Sequence, residues 1–367
     1  MDVVIAGGGI VGLACAYELA KAGARVTLLE YGKTGMQATN AAAGMLAPAL
    51  EAPGPGPMLD AALEAWRAYP DVVAELEAQV GFGLELQLGG ILRVAFDDEQ
   101  LGEVRARLSW QRAAGIVAYE LHGAHCRDVE PRLSERVAGG VLYEGMGAVS
   151  NQLVALAYER AATAHGARIC QRTPVTGFRR RAGHVTAVIS GETAFPCDAV
   201  VLAAGARSGQ IARRLGVALP VEPVRGQMIA LGGMRPPVHH VVWGPDGYLV
   251  PRANGLLFAG ATVERVGFRR RTTKAGVAAM RSMAVALVPQ LRAATVHFDW
   301  AGLRPGTPDG LPIIGPVAPY ANLIAATGHY RNGILLGPLT GRWVAGGLLR
   351  GDWRDVPAAF APGRFSE

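Results

Sequence analysis

The chain opens with Val3-Val4-Ile5-Ala6-Gly7-Gly8-Gly9-Ile10-Val11-Gly12, a strand-like apolar run that leads directly into a glycine-rich turn. Gly7 permits the tight turn, Gly9 lets the backbone approach a pyrophosphate, and Gly12 allows the next helix to pack on the strand. That helix is predicted over 10–22, and its N-terminal N–H groups would face phosphate oxygens. Strand, turn and helix come in the order of a dinucleotide-binding fingerprint.

An acidic residue completes this fingerprint. The second strand, Arg25-Val26-Thr27-Leu28-Leu29, ends at Glu30, whose carboxylate can accept a hydrogen bond from a ribose 2′-hydroxyl. A glycine-rich turn of some other α/β protein would not explain this acid. The sequence therefore predicts that the chain binds an adenine dinucleotide.

Composition indicates a globular enzyme with room for two domains, since 367 residues are 50% hydrophobic and 18% charged. The net charge of +6 comes almost entirely from arginine. Residues 179–181 and 269–271 are both arginine runs, predicted to be a hairpin tip and the solvated start of a helix. Neither run carries interleaved aromatic residues, so we expect no nucleic-acid partner and no membrane contact.

Cysteine and histidine placement argues against disulfides and metals. The four cysteines are far apart and form no C-x-x-C pair, which predicts isolated buried thiols in a reducing compartment. His122, His125 and Cys126 could be a metal cluster, but a surface segment is favoured because no second ligand group follows at a recognisable spacing. The neighbours His239 and His240 would point to opposite faces of a strand. No metal site is predicted.

The sequence predicts a soluble cytoplasmic protein. Met1-Asp2 supplies no basic region typical of a secretory signal. The uncharged run 34–50 contains Gln37, Asn40 and Pro48, and it does not resemble a membrane span.

Periodicity predicts an α/β fold of the doubly wound Rossmann type with an inserted antiparallel sheet. A segment of small residues covers 38–48, and a buried apolar strand, typical of a central parallel strand, covers 199–203. The other predicted helices are 58–79, 101–114, 151–165, 274–287 and 333–350. The other predicted strands are 84–88, 90–96, 167–171, 175–181, 184–190, 227–231, 239–243, 247–251, 255–261, 296–300 and 323–326.

Two domains are expected from this pattern. A discontinuous cofactor-binding domain would comprise 1–80, 142–222 and 300–367. The substrate-binding domain would comprise 81–141 and 223–299, and glycine-rich loops are predicted after residue 300.

Motifs near the C-terminus identify a family. They are Ala301-Gly302-Leu303-Arg304-Pro305-Gly306-Thr307-Pro308-Asp309-Gly310-Leu311-Pro312-Ile313-Ile314-Gly315 and Gly328-His329-Tyr330-Arg331-Asn332-Gly333-Ile334-Leu335-Leu336. Together with the N-terminal fingerprint, Ala43-Gly44-Met45-Leu46 and Tyr248-Leu249-Val250-Pro251-Arg252, they make the chain resemble the D-amino-acid oxidase family of flavoproteins over essentially its whole length. Within that family the chain is most similar to the glycine oxidases of thiamine biosynthesis.

The resemblance implies an extended, non-covalently bound FAD. The glycine-rich turn would bind the pyrophosphate, Glu30 the ribose, and the start of the predicted hairpin the adenine. The small-residue segment and the C-terminal loop would lie beside the flavin. The expected cofactor-binding residues are Gly7, Gly9, Ile10, Val11, Gly12, Glu30, Tyr31, Ala38, Thr39, Ala43, Gly44, Met45, Val175, His329, Tyr330, Arg331, Asn332, Gly333, Ile334 and Leu335. The final helix would direct its positive end at the reduced flavin.

The resemblance also implies the substrate contacts. Arg304 matches the family's carboxylate-binding arginine, which suits bidentate recognition, and Tyr248 matches a tyrosine that binds the same carboxylate. Arg331 matches an arginine near the substrate that either touches the ligand or supports the loop. Met45 would line the cavity.

No catalytic acid or base is predicted. If the amine binds neutral, the Cα hydrogen can leave as hydride to flavin N5, and positioning supplies most of the catalysis. Hydrolysis of the imine would give a 2-oxo acid and ammonia, and molecular oxygen would be reduced to hydrogen peroxide.

The chain departs from the patterns of its relatives at two places. No cysteine follows Cys197, which excludes the late-chain thioether of the sarcosine-oxidase relatives. The segment Asp246-Gly247-Tyr248 lacks a histidine found in some glycine oxidases.

Alternative functions remain open at this point. A D-amino-acid dehydrogenase of the same fold would pass electrons to a quinone or a protein, and a tRNA-associated flavin module would use the arginine runs. The sequence does not distinguish glycine from sarcosine or small D-amino acids. It predicts a homo-oligomer without fixing its size.

Overall fold

Two large β-sheets organise the protein, and the candidate site lies between them. The computed structural model describes residues 1–233 and 238–365. The strands are β1 (Asp2–Ala6), β2 (Arg25–Leu29), β3 (Met45–Leu46), β4 (Ile91–Ala95), β5 (Ala118–His122), β6 (Gly139–Tyr143), β7 (Gly147–Ala148), β8 (Arg168–Cys170), β9 (Gly177–Arg181), β10 (His184–Ser190), β11 (Thr193–Pro196), β12 (Ala199–Leu202), β13 (Glu222–Gly232), β14 (Val241–Gly244), β15 (Gly247–Pro251), β16 (Leu257–Gly260), β17 (Thr295–Gly306), β18 (Ile313–Val317) and β19 (Tyr320–Thr327).

The α-helices are distributed between and after these strands. They are α1 (Ile10–Lys21), α2 (Ala38–Ala41), α3 (Pro48–Glu51), α4 (Pro57–Val80), α5 (Asp98–Ala106), α6 (Leu108–Ala113), α7 (Gly123–Val129), α8 (Asn151–Ala164), α9 (Ser208–Ala212), α10 (Lys274–Leu287) and α11 (Gly333–Arg350).

The first sheet is the nucleotide-binding scaffold, with strand order β18-β19-β12-β1-β2-β8. All neighbouring strands run parallel except the β18–β19 pair. Helices α1, α4, α8 and α11 pack together over one face, and the small sheet β11-β10-β9 packs on the other. The α/β prediction is confirmed, because a parallel sheet covered on both faces has formed around β1 and β12.

The second sheet has the order β17-β13-β16-β15-β14-β4-β6-β5. It is antiparallel except for the parallel β14–β4 pair, so the expectation of an antiparallel sheet was wrong at that pair. Helix α10 covers one face through Met280, Met283 and Leu287. The opposite face contributes Met228 and Tyr248 to the candidate site. The predicted division into two discontinuous domains stays a prediction.

Three predicted elements differ from the structure. Residues 84–88 are no strand, because Glu85 takes a left-handed φ of 56° and only Gln87 bridges to Ala148. The helix predicted over 101–114 is divided into α5 and α6 at Arg107, whose guanidinium donates to the carbonyls of Ala49 and Ala52.

The third difference concerns a predicted glycine-rich loop. Strand β17 continues to Gly306, so Arg304 lies on a strand and not on a loop. Pro305 is tolerated there because β17 is the edge strand of its sheet.

Candidate active site

A cavity of about 780 Å³ lies at the carboxyl ends of β1 and β12 and extends to the second sheet. This position is where open parallel sheets bind their ligands. Its walls combine the glycine-rich turn, the segment 37–45, the start of α11, and residues of β13, β15 and β17. Both sheets therefore contribute to one site.

Nearly all of the residues predicted from the sequence line this cavity. The exceptions are Gly12 and Leu335. A Cβ at Gly12 would overlap the carbonyl oxygen of Gly7, so this glycine provides the close packing of α1 on the turn. Leu335 is 2% exposed and packs in the core instead of facing the cavity.

The glycine-rich turn has the geometry expected for a phosphate cradle. Gly7 has a φ of 115°, and a Cβ there would collide with the backbone of Ala203. The N–H of Ile10 donates to Thr39 Oγ1 at 2.9 Å, which ties the start of α1 to the segment beneath it. The turn therefore presents bare backbone to the cavity.

Glu30 is fixed at the wall of the cavity. Its side chain is buried, and its two carboxylate oxygens accept hydrogen bonds from the backbone N–H groups of Gly8 at 2.8 Å and Gly32 at 2.9 Å. Each carboxylate oxygen has a second lone pair. Glu30 can therefore accept from a ribose hydroxyl without losing its internal contacts.

The small-residue segment is held by three side chains from elsewhere. Trp300 Nε1 donates to the Ala41 carbonyl at 3.1 Å, and Asn151 Nδ2 donates to the Thr39 carbonyl at 2.5 Å. Arg252 Nη1 donates to the Ala43 carbonyl at 3.5 Å and to the neighbouring Val149 carbonyl at 3.1 Å. A Cβ at Gly44 would overlap the Val149 carbonyl oxygen, so only glycine fits there.

The C-terminal loop closes the site. His329 is buried, and its Nε2 lies 2.9 Å from Thr340 Oγ1. Burial lowers the pKa of His329 to about 4, so the imidazole is neutral at neutral pH. The N–H of Tyr330 donates to the Pro305 carbonyl at 3.0 Å, and α11 begins at Gly333 beside the cavity. The positive end of the α11 dipole therefore faces the site.

Arg304 is a cation with no acidic partner among the residues that the structure describes. Its Nη1 donates to the Thr262 carbonyl at 3.0 Å, and its guanidinium lies against Gly226, where a Cβ would overlap it. The remaining N–H groups are available to a planar anion. Arg304 can thus donate two hydrogen bonds to a carboxylate.

Tyr248 lies beside Arg304 on the same wall. Its side chain is buried, and burial raises the pKa of the hydroxyl while the Arg304 and Arg331 guanidiniums oppose that rise. The hydroxyl therefore stays protonated and can donate a hydrogen bond at neutral pH.

Arg331 differs from Arg304 because its charge is compensated. Its Nε donates to Glu51 Oε2 at 2.7 Å, and its guanidinium stacks 5.4 Å from the centroid of the Trp243 ring. Burial opposes ionisation, but Glu51 raises the pKa of Arg331 above its usual value. The two arginines thus have different electrostatic environments.

Sequence reasoning missed several lining residues, including Glu51, Arg207, Gly226, Phe268 and Arg270. One signal for Glu51 was available, since it is the only charged residue between 38 and 52. The others come together only through the tertiary fold.

The residues that form the cavity fit FAD. The bare turn at Gly7, the carboxylate of Glu30 and the close approach at Gly44 match the needs of a pyrophosphate, a ribose and a flat ring. Within residues 1–233 and 238–365, no group of three metal-ligating side chains is assembled. In the same ranges no helix has the length and apolar character to span a membrane.

Comparison with known proteins gives a consistent result. The family model described as FAD dependent oxidoreductase matches residues 2–346. The chain is 36% identical to a glycine oxidase of Geobacillus kaustophilus over 94% of this chain and 92% of the relative. It is 37% identical to the bifunctional protein ThiO/ThiG of Synechocystis sp. over 99% of this chain, but it spans only 54% of that longer relative.

Solved structures agree with the sequence comparison. The crystal structure of glycine oxidase from Geobacillus kaustophilus superposes with a TM-score of 0.95 at 33% identity, covering 100% of this chain and 99% of the other. The similarity of the fold therefore extends over the whole chain, including both sheets.

Proposed function

Since the chain belongs to the FAD dependent oxidoreductase family and is an FAD-dependent amino-acid oxidase, we propose that it oxidises glycine and other small amino acids. The proposed overall reaction converts glycine, water and oxygen into glyoxylate, ammonia and hydrogen peroxide. Bound FAD supplies the two-electron acceptor for the hydrogen that leaves Cα as hydride. A role in thiamine biosynthesis, a cytoplasmic location and a homo-oligomeric state are part of the proposal.

One observation carries the substrate assignment, namely the uncompensated charge of Arg304 inside the cavity. A half-buried cation without an acidic partner is stabilised when an anion binds beside it. The free N–H groups of Arg304 match the two oxygens of an α-carboxylate, and the protonated Tyr248 hydroxyl can donate to the same group. These contacts fix the carboxylate and thereby orient the adjacent Cα hydrogen.

The surrounding residues favour a small substrate. Trp243 packs 5.4 Å from Tyr248 between ring centroids, and the Arg331–Glu51 pair lies on the same side. Tyr248, Arg331 and Glu51 line the cavity, with Trp243 packed against them, and they limit the room for a bulky substituent on Cα. Arg331 therefore supports the wall of the compartment, while Arg304 binds the ligand.

The test is a substrate panel of glycine, sarcosine and small D-amino acids, followed by peroxide detection in air and by flavin bleaching without oxygen. Glyoxylate and peroxide formed in equal amounts from glycine would support the proposal. Bleaching by glycine without peroxide in air would indicate a dehydrogenase. Failure of glycine to bleach the flavin, while another amino acid does so, would overturn the substrate assignment. The matched control is Arg304→Ala, which should keep its flavin and lose turnover.

A further inference from the structure

The connection between β16 and α10, residues 261–273, crosses from the second sheet to the opening of the cavity beside the first sheet. We call it the strap. Two strap side chains, Phe268 and Arg270, line the cavity although the strap belongs to neither the glycine-rich turn nor the C-terminal loop. The arginine run 269–271, expected to begin a helix, lies in this connection instead, because α10 starts at Lys274.

The base of the strap is firmly attached to the second sheet. Arg225 and Glu264 exchange two backbone hydrogen bonds, at 2.8 and 3.0 Å, and their side chains form an ion pair. Arg225 Nη1 also donates to the Arg271 carbonyl at 2.8 Å, and the N–H of Thr273 donates to Gln227 Oε1 at 2.7 Å. Both ends of the strap are therefore anchored, and only its middle extends over the cavity.

The middle of the strap contacts the nucleotide-binding side. The Arg207 guanidinium lies 4.9 Å from the Phe268 ring centroid and 5.0 Å from the Tyr31 ring centroid, so it is stacked between the two rings. Arg270 Nη1 donates to Gln37 Oε1, which also lines the cavity. These contacts join the strap to the wall opposite.

The position of this stack points to one half of the cofactor. Tyr31 directly follows Glu30, the residue placed for the adenosine ribose, and Arg207 follows the carboxyl end of β12, next to the turn at Gly7. Arg207, Arg214 and Arg270 bring three positive charges to this end of the cavity. A pyrophosphate is the doubly charged anion that such a set of guanidiniums would neutralise.

We propose that the strap closes over the adenosine and pyrophosphate half of FAD, and that Phe268 and Arg270 are cofactor-retaining residues. Arg270 contributes charge, and Phe268 holds the Arg207 guanidinium in place by stacking. This inference goes beyond the proposed function, because it concerns how the cofactor is held and is independent of the substrate oxidised.

The experiment measures release of FAD from the holoenzyme by the recovery of flavin fluorescence, together with FAD and ADP affinity of the apoprotein. Phe268→Ala and Arg270→Ala should each accelerate FAD release about tenfold or more. At high salt the difference in release rate between Arg270→Ala and the wild type should disappear, because the charge of Arg270 is then screened. ADP affinity should fall with FAD affinity, since ADP carries only the adenosine and pyrophosphate groups.

The matched control is Arg269→Ala, which removes the same charge from an adjacent exposed position that does not line the cavity. It should release FAD within about twofold of the wild-type rate, because Arg269 is as exposed as Arg270 but lies outside the cavity, where solvent screens its charge. Wild-type release in both Phe268→Ala and Arg270→Ala would overturn the proposal. Weakened FAD binding with unchanged ADP binding would also overturn it, because the strap would then act on the flavin half. Equal effects of Arg269→Ala and Arg270→Ala on FAD release would mean that only the net positive charge of the strap matters. That result would contradict the specific role assigned to Arg270.

Discussion

The different environments of the two cavity arginines lead to a quantitative prediction. Arg304→Ala removes a guanidinium that can form two charge-assisted hydrogen bonds to a carboxylate, each worth about 1.5–3 kcal/mol. A loss of about 3 kcal/mol in transition-state binding corresponds to at least roughly a hundredfold decrease in kcat/KM for glycine. Flavin content should remain near normal, because Arg304 contacts Thr262 and Gly226 and not the glycine-rich turn. Arg304→Lys should recover only part of the activity.

Arg331→Ala should have a smaller effect with a different origin. It leaves the carboxylate of Glu51, 12% exposed, without its partner, and this charge would repel the substrate carboxylate. Replacing that carboxylate in the double variant Arg331→Ala/Glu51→Gln should therefore restore much of the lost kcat/KM. Adding Glu51→Gln to Arg304→Ala should restore little.

The assay is steady-state peroxide formation from glycine, with flavin content measured on every variant. A double-mutant cycle isolates the Arg331–Glu51 coupling from the effect on substrate binding. Near-wild-type turnover of Arg304→Ala, combined with an inactive but fully flavinated Arg331→Ala/Glu51→Gln, would show that the roles of the two arginines are reversed.

Three further predictions concern the cofactor and the stability of the fold. FAD should be released intact by acid or heat, since none of the four cysteines lines the cavity; flavin that stays with the denatured chain would contradict non-covalent binding. Glu30→Ala should weaken FAD binding by about 1–3 kcal/mol and also lower the melting temperature of the apoprotein, because the N–H groups of Gly8 and Gly32 lose their acceptor; unchanged FAD affinity in a titration would remove Glu30 from the site. Burial alone would raise the pKa of the Glu264 carboxyl. Hydrogen bonds from Arg225, Thr262 and Gln227 nevertheless lower this pKa to about 2, below the value of 4.5 in the unfolded chain. Its stabilising contribution is thus complete above pH 4.5 and is lost as the pH falls towards 2, so Glu264→Gln should show a smaller acid-induced fall in urea midpoint than wild type, and identical pH profiles would refute this account.

Local sequence signals predicted much of the nucleotide-binding half. The turn at Gly7 and the acid at Glu30 belong to one strand–helix–strand unit, whose chemistry is encoded within about thirty consecutive residues. Helices α10 and α11 have the predicted bounds, because each has a clear apolar periodicity with breaking residues at its ends.

The second sheet was harder to predict because its contacts are far apart in sequence. The parallel pairing of β4 with β14 joins residues near 91 and 241, and no local pattern encodes that register. Pro305 and the glycines around Arg304 favoured a loop, whereas the edge position of β17 allows a strand there. Arg207 and Phe268 were missed for the same reason, since only tertiary packing brings them to the cavity.

Strand β17 has a consequence for which molecules can react. Over a few consecutive residues it holds the Ala41 segment through Trp300, carries Arg304, and accepts the N–H of Tyr330 at Pro305. Extended backbone advances a fixed ~3.3 Å per residue, so the carboxylate anchor and the two loops that face the flavin have a set spacing. If Arg304 binds the substrate carboxylate as proposed, this spacing also determines which carbon of the substrate lies next to the flavin. We therefore expect an amino acid such as β-alanine, whose nitrogen-bearing carbon is one bond further from the carboxylate, to present the wrong hydrogen to the flavin and to react poorly.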